Sequence, residues 1–133
     1  MLEEPKESKA KKILIVEDDK FLAKMLGRML EAHHYNVVYA ATGKEALMKA
    51  SAETDLRLVL LDIMLPDIDG FDVLETIKGN IQTAKIPVIV LSNLGQPEDR
   101  QQGRALGAVD HLVKSDLSLD EVVATVRKRL PPI

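Results

Sequence analysis

The sequence lacks several residue types, and each absence excludes a class of protein. None of the 133 residues is cysteine, so disulfide scaffolds and thiolate metal sites are excluded. Tryptophan is also absent, and aromatic residues make up only 3% of the chain, which is too few for a surface that stacks bases or sugar rings. The core of the protein must therefore be aliphatic.

Neither the charge nor the hydrophobic runs favour a nucleic-acid or membrane surface. The formal net charge is -3 and the isoelectric point about 5.6, which argue against non-specific nucleic-acid binding. No apolar run reaches the ~18 residues that a membrane-spanning helix needs, and the polar start MLEEPKESKAKK does not resemble a signal peptide. We therefore expect a cytoplasmic protein that contacts neither a membrane nor, directly, nucleic acid.

The sequence does contain a regular alternation of short aliphatic runs and helical patterns. Two of the five helical patterns open with capping boxes, Thr42 with Glu45 and Ser118 with Glu121. The first helical pattern has one apolar stripe between Phe21 and Leu30. The aliphatic runs are too short for helices and predict strands over residues 12–16, 37–39, 58–61, 86–91 and 109–113.

Five strand–helix units with buried aliphatic strands predict an α/β fold. Such strands form a doubly wound parallel sheet with helices on both faces. Right-handed crossovers leave few topologies, and at this size a flavodoxin-like order of 2-1-3-4-5 is expected. We assign one domain to residues 11–130, preceded by a flexible polar tail over 1–10. Residues 131–133 are either a C-terminal end or the start of a linker.

Polar residues follow four of the predicted strands. Glu17 and Asp18 follow the first strand, Asp62 the third, Ser92 the fourth and Lys114 the fifth. Taken singly, an acid after a strand is an ordinary helix cap, a serine is a turn residue and a lysine is a surface charge. The carboxyl ends of parallel strands, however, meet at one edge of the sheet, where ligands bind. The order 2-1-3-4-5 therefore places all five residues at one crevice.

Carboxylates gathered at one edge repel one another and need a positive partner. A divalent cation on one side and Lys114 on the other would supply it. An all-oxygen ligand set favours a hard ion such as Mg²⁺, which keeps waters and leaves room for a phosphate oxygen. Asp62 could then act as a nucleophile toward a phosphoryl group and form an acyl phosphate. Lys114 would offset charge on the transferring group, and the Ser92 hydroxyl would donate to one of its oxygens.

Four motifs together resemble the CheY-like receiver domain of two-component response regulators: VEDD, LLDIMLPDIDGF, VLSN and HLVKS. The resemblance covers nearly the whole chain after the tail. It implies that a sensor histidine kinase or a phosphotransfer protein phosphorylates Asp62. It also implies a Mg²⁺ site in which Asp18 and Asp62 are ligands, Glu17 acts through water and Met64 contributes its backbone carbonyl. Asp19, just outside the acidic pair, is interpreted as a helix cap.

The resemblance further implies how such a protein would signal. Ser92 occupies the family's hydroxyl position and Lys114 its invariant lysine. His111 stands where the family usually has tyrosine or phenylalanine, the ring that swings inward upon activation. The surface of the fourth helix, fifth strand and last helix would carry the signal to a target protein that the sequence does not identify. The chain would then be a phosphorylated switch that catalyses only its own phosphorylation and dephosphorylation.

Two features of these motifs carry predictions. The family lysine is commonly followed by a cis proline, whereas Lys114 is followed by Ser115. A cis bond before a residue other than proline costs about 2.5–4 kcal/mol, so we expect a trans bond or an altered loop. In addition, Met64 and Leu94 are both apolar, at positions that flank the path of the attacking water in this family. We therefore predict slow hydrolysis of the phosphoryl group.

Three other functions compete with this interpretation. A phosphohydrolase of the haloacid-dehalogenase type needs a second aspartate where Met64 stands. A flavodoxin-like cofactor carrier needs a Ser/Thr-rich phosphate loop after the first strand, where Glu17, Asp18 and Asp19 would instead repel phosphate. A pseudo-receiver would only bind partners, and the complete set of acids, hydroxyl and lysine argues against it.

Overall fold

The computed structural model describes residues 11–93, 97–116 and 118–130. The predicted tail over residues 1–10, Leu94 and residues 131–133 lie outside the described residues. Lys114–Asp116 forms a single 3₁₀ turn. Within the described ranges, strands and helices alternate as β1 (Lys12–Val16), α1 (Lys20–Ala32), β2 (Asn36–Ala40), α2 (Gly43–Ala52), β3 (Leu56–Asp62), α3 (Gly70–Gly79), β4 (Val88–Ser92), α4 (Pro97–Ala105), β5 (Asp110–Val113) and α5 (Leu119–Arg129).

The five strands form one parallel sheet in the order β2-β1-β3-β4-β5. This order confirms the predicted flavodoxin-like, doubly wound α/β fold. β1 and β3 are direct neighbours, and Val16 pairs with Leu61 in their register. Glu17 follows Val16, and Asp62 follows Leu61 as the last residue of β3. The fold therefore brings these two acids to the same point of the carboxyl edge.

The core has two aliphatic layers, one on each face of the sheet. Successive side chains of a strand point to opposite faces, so an unbroken aliphatic run fills both layers. On β3, Val59 and Leu61 pack with residues of α2 and α3, whereas Leu58 and Leu60 pack with residues of α1 and α5. All four are fully buried. The aliphatic runs therefore form the centre of the fold, as the low aromatic content predicts.

Side-chain caps start the helices that the sequence predicts. The Thr42 hydroxyl accepts from the backbone N–H of Glu45 at 3.1 Å, and the Ser118 hydroxyl accepts from that of Glu121 at 3.1 Å. Asp19 caps α1 by accepting from the N–H groups of Phe21 and Leu22. These contacts confirm Thr42, Ser118 and Asp19 as helix N-caps, and the Glu45 carboxylate reaches back to accept from the N–H of Ala41, the residue before the Thr42 cap, at 2.8 Å.

The predicted starts differ by two residues at the third strand, which begins at Leu56 rather than Leu58, and at the fourth. β4 begins at Val88 rather than Ile86, because Pro87 has no N–H to donate. The Pro87 carbonyl still accepts from Val59 N–H at 3.0 Å, which continues the contact to β3. No cis peptide bond is present in the part of the chain that the structure describes, so the bond between Lys114 and Ser115 is trans, as predicted.

None of the helices formed by the described residues combines the length and the apolar character that a bilayer crossing requires.

Gly70, at the start of α3, permits the closest backbone approach near the carboxyl edge. A Cβ atom on Gly70 would lie 2.2 Å from Ile63 Cα, whereas one on Gly79 would meet nothing within 4 Å. We expect Gly70→Ala to lower the free energy of unfolding by about 3 kcal/mol, because backbone rather than a movable side chain must shift. Gly79→Ala should change it by less than about 0.5 kcal/mol. Urea unfolding of both variants measures the difference, and equal stabilities would contradict this packing.

Candidate phosphoacceptor site

The acids that the sequence predicts at the carboxyl edge do lie together. Glu17 and Asp18 directly follow β1, and Asp62 is the last residue of β3. One carboxylate oxygen from each lies within 4.8 Å of the others. Glu17 and Asp62 are buried, whereas Asp18 is exposed. The cluster therefore has two acids embedded in the protein and a third that faces solution.

Lys114 bridges the two buried acids. Its Nζ lies 2.6 Å from Glu17 Oε1 and 2.9 Å from Asp62 Oδ2. The side chains of Glu17 and Asp62 are 0% and 2% exposed, and that of Lys114 is 14% exposed. Burying a pair of carboxylates is tolerable only with a close positive partner, which Lys114 provides. With all groups ionised, three carboxylates and one ammonium leave two negative charges unbalanced.

The backbone fixes the remaining oxygens of the buried acids. Glu17 Oε2 accepts from Asp19 N–H at 3.0 Å, and Asp62 Oδ1 accepts from Met64 N–H at 2.9 Å. Each buried carboxylate thus has one oxygen on the backbone and the other on Lys114. Both side chains are held in one orientation, which is what a preorganised charged site needs.

The pKa values of Glu17 and Lys114 follow from this arrangement. Burial raises the pKa of Glu17 to about 7, and the nearby Asp62 charge adds to that rise, although Lys114 and the Asp19 amide oppose it. Burial alone would lower the pKa of Lys114, but its contacts with Glu17 and Asp62 outweigh burial and hold the pKa above its ordinary value. Lys114 is therefore protonated at neutral pH, while Glu17 is only partly ionised there.

These properties fit a divalent cation. Glu17, Asp18 and Asp62 could hold a metal ion, since all three offer oxygen ligands within reach of one another. Burial, the main cause of the raised pKa of Glu17, disfavours its ionised form, and further positive charge nearby would favour that form. A cation at the exposed side, next to Asp18, would supply that charge opposite Lys114.

A cavity of about 430 Å³ opens beside Asp18. Asp18, Met64 and Asp99 are among its lining residues, with Pro66 and Phe71 contributing apolar surface. The Met64 side chain is 57% exposed. Asp62 is not among the lining residues, so of the three clustered acids it is Asp18 that the cavity opens to solution.

The structure places Ser92 and His111 on the two strands beyond Asp62. Ser92 is the last residue of β4, is fully buried and pairs in register with Val113. His111 lies on β5 opposite Val90, and both of its ring nitrogens are shielded from solvent. Its ring lines a cavity together with Arg100 and Arg104 of α4, on the face where the output surface is predicted.

Two further aspartates, Asp67 and Asp69, make contacts in this region, and the sequence analysis assigns a role to neither. Asp69 caps α3 by accepting from Phe71 N–H at 2.8 Å. Asp67 accepts from the N–H groups of Gly43 and Lys44, the first residues of α2, and these hydrogen bonds lower the pKa of Asp67. Local sequence signals such as Asp69 before a helix predict the first contact. The contact between Asp67 and Gly43 joins residues 24 positions apart, so no local sequence pattern predicts it.

Comparison with known proteins identifies the family. The family model described as "Response regulator receiver domain" matches residues 13–127. The chain is 38% identical over 120 residues to the DNA-binding dual master transcriptional regulator RpaA of Synechocystis, covering 90% of this chain and 48% of that protein. Its structure is similar to that of the chemotaxis protein CheY4 of Vibrio cholerae, with a TM-score of 0.84 and 29% identity over 91% of this chain and 99% of that one. A phosphorylated cyanobacterial phytochrome response regulator, RcpA, gives a TM-score of 0.80 at 27% identity, covering 92% of this chain and 95% of that one.

The chain spans about half or less of the length of the curated relatives it matches, from 16% to 48% among the first five. The chain therefore belongs to the response regulator receiver domain family, whose members act as signalling switches.

Proposed function

We propose that this chain is a phosphoacceptor switch in which Asp62 receives a phosphoryl group in a Mg²⁺-dependent reaction. The donor is a sensor histidine kinase or a phosphotransfer protein. The observation that carries the proposal is the position of the Asp62 carboxylate, which is buried beside Lys114 and within reach of two further acids. The similarity to a phosphorylated regulator supports it.

Asp62 acts as the nucleophile in this proposal. One of its carboxylate oxygens forms a bond to phosphorus as the bond between phosphorus and the donor breaks, and the donor leaves with the electron pair. Lys114 offsets the negative charge that the phosphoryl oxygens bring to the site, and the Ser92 hydroxyl donates a hydrogen bond to one of them. Met64 N–H keeps the carboxylate oriented, since it already donates to Asp62 Oδ1.

Mg²⁺ is the cation that the donor set suits best. Asp18 and Asp62 would bind it directly, Glu17 would act through water, and Met64 would contribute its backbone carbonyl. When bound, Mg²⁺ supplies positive charge to the phosphoryl oxygens and keeps waters that they can displace. Asp18 is the one exposed acid of the three, so it is the first contact for an ion that enters from solution.

Phosphorylation then switches a protein-interaction surface. Ser92 and His111 are the proposed switch residues, and α4, β5 and α5 form the proposed surface for the downstream target. The chain would catalyse only its own phosphorylation and dephosphorylation, in the cytoplasm, without contacting membrane or nucleic acid itself.

Incubation with Mg²⁺ and acetyl phosphate tests the proposal against its rivals. We expect one base-labile phosphoryl group per chain, seen by intact-protein mass spectrometry, and none when Mg²⁺ is chelated. Continuous release of phosphate with no stable adduct would instead identify a phosphohydrolase. A complete lack of reaction would support a pseudo-receiver and refute the proposal.

The lifetime of the adduct provides a separate prediction. Met64 and Leu94 are apolar where the attacking water would pass, so we expect slow hydrolysis. Replacing Met64 or Leu94 with asparagine should speed the loss of the phosphoryl group several-fold, because an amide can orient a water. Ile81→Asn is the matched control, since Ile81 is 91% exposed in the turn that follows α3, before β4 begins. Unchanged lifetimes in the Met64 and Leu94 variants would contradict the prediction.

A further inference from the structure

The segment from Ile63 to Gly70, which connects β3 to α3, is closed at its base. At its start, Met64 N–H donates to Asp62 Oδ1 at 2.9 Å. At its end, Gly70 N–H donates to the Ile63 carbonyl at 3.0 Å, and the lack of a Cβ on Gly70 permits this approach. The segment is therefore a compact loop whose first residues orient the carboxylate of Asp62.

Asp67 attaches the tip of this loop to a different element. Its Oδ1 accepts from Gly43 N–H at 2.8 Å and its Oδ2 from Lys44 N–H at 3.0 Å. Both amides belong to the first turn of α2, where N–H groups have no partner within the helix and attract negative charge. Asp67 therefore makes a two-point contact across 24 residues of sequence.

The packing around Gly43 indicates that this contact is tight. A Cβ on Gly43 would lie 3.0 Å from Ile68 Cβ in the loop and 3.1 Å from Val73 Cγ2 in α3, so a side chain there would push these neighbours away by a few tenths of an ångström. α2 also has its own cap, since Thr42 accepts from Glu45 N–H. Thr42 and Asp67 thus cap the same helix, but only Asp67 connects it to the loop beside Asp62.

We propose that Asp67 is a positioning residue for the phosphoacceptor site: by clamping the β3–α3 loop to the first turn of α2, it holds the Met64 peptide against Asp62. This role rests on the proposed function. Without the clamp the loop gains conformational freedom, and the hydrogen bond from Met64 to Asp62 opens more often. The carboxylate and the Met64 carbonyl must then be ordered when the ion binds, which lowers affinity.

The test compares Asp67→Ala with Thr42→Ala, which removes a cap from the same helix without touching the loop. We expect Asp67→Ala to speed hydrogen exchange of the Met64 amide and to weaken Mg²⁺ binding, each by about tenfold, as is common when a residue that orients a metal ligand is lost. Thr42→Ala should leave both within about twofold of wild type. Asp67→Asn, which keeps one acceptor oxygen, should lie between Asp67→Ala and wild type.

Two results would overturn the role of Asp67. One is an exchange rate of the Met64 amide that Asp67→Ala leaves unchanged. The other is an equal change in the Thr42→Ala variant, which would mean that only the stability of α2 matters. The exchange measurement uses the metal-free protein, so it decides on the clamp even if wild type binds no Mg²⁺. A wild-type protein that binds no Mg²⁺ would refute the proposed function instead.

Discussion

Asp62→Asn is expected to abolish phosphorylation by acetyl phosphate, with a loss of at least about a thousandfold in rate, as is typical when a nucleophile is removed. An amide oxygen does not provide the carboxylate that attacks phosphorus. The variant should nevertheless fold, because it removes one of three mutually repelling acids while Glu17 keeps its contact with Lys114. Intact-protein mass spectrometry measures the adduct, and thermal unfolding confirms the folded state.

Asp72→Asn is the matched control for this variant. Asp72 is an exposed acid in the first turn of α3, so the substitution makes the same chemical change ten residues away from the nucleophile. Its adduct should form at the wild-type rate. An adduct that persists in Asp62→Asn and maps to another residue would show that Asp62 is not the acceptor.

The second large effect is expected from Lys114→Met. In the metal-free protein this substitution leaves Glu17 and Asp62 buried without their shared ammonium, and removing one partner of a buried charge pair typically costs about 3–5 kcal/mol of stability. The loss should be smaller at pH 5 than at pH 8, because the raised pKa of Glu17 lets it become neutral by binding a proton at low pH. Urea unfolding at the two pH values measures both quantities.

Two further variants determine whether burial causes this effect. Lys12→Met removes an ammonium that lies 3.0 Å from Glu53, but these side chains are 26% and 30% exposed, so the loss should stay below about 1 kcal/mol. Adding Asp62→Asn to Lys114→Met should restore part of the stability, since one uncompensated charge is removed. Equal losses for Lys12→Met and Lys114→Met, or no rescue by Asp62→Asn, would contradict the electrostatic account.

Most of the fold could be predicted from the sequence because its strongest signals are local. The unbroken aliphatic run at residues 58–61 and the capping pairs at Thr42 and Ser118 each depend on neighbouring residues alone. The meeting of Glu17, Asp18 and Asp62 was also predictable, because the order of parallel strands fixes which carboxyl ends are adjacent.

The features that the sequence did not reveal depend on distant residues. The clamp between Asp67 and α2 joins side chain and backbone across 24 positions, and nothing near Asp67 marks its partner. The pKa of Glu17 depends on how deeply Asp62, Lys114 and the surrounding strands bury its carboxylate. The start of β4 after Pro87 was misplaced because the apolar run IPVIVL continues through a proline that donates no hydrogen bond.

We propose that a divalent cation and Lys114 together balance the acids at the carboxyl edge. In the metal-free protein, Glu17 stabilises the fold most below its ordinary pKa of 4.5, and that contribution is lost as the pH rises through about 7. Mg²⁺ requires ionised ligands, so its binding should be tighter at pH 8 than at pH 6 and should release protons at the lower pH.

Calorimetric titration with Mg²⁺ at these two pH values, on wild type and Asp18→Asn, is the most direct test. We expect one bound ion per chain and tighter binding at pH 8. Asp18→Asn should lose at least about 10–100-fold in affinity, because losing a direct ligand should cost no less than losing an outer-shell partner. Absence of Mg²⁺ binding by wild type, or the same affinity in both proteins, would contradict the proposal.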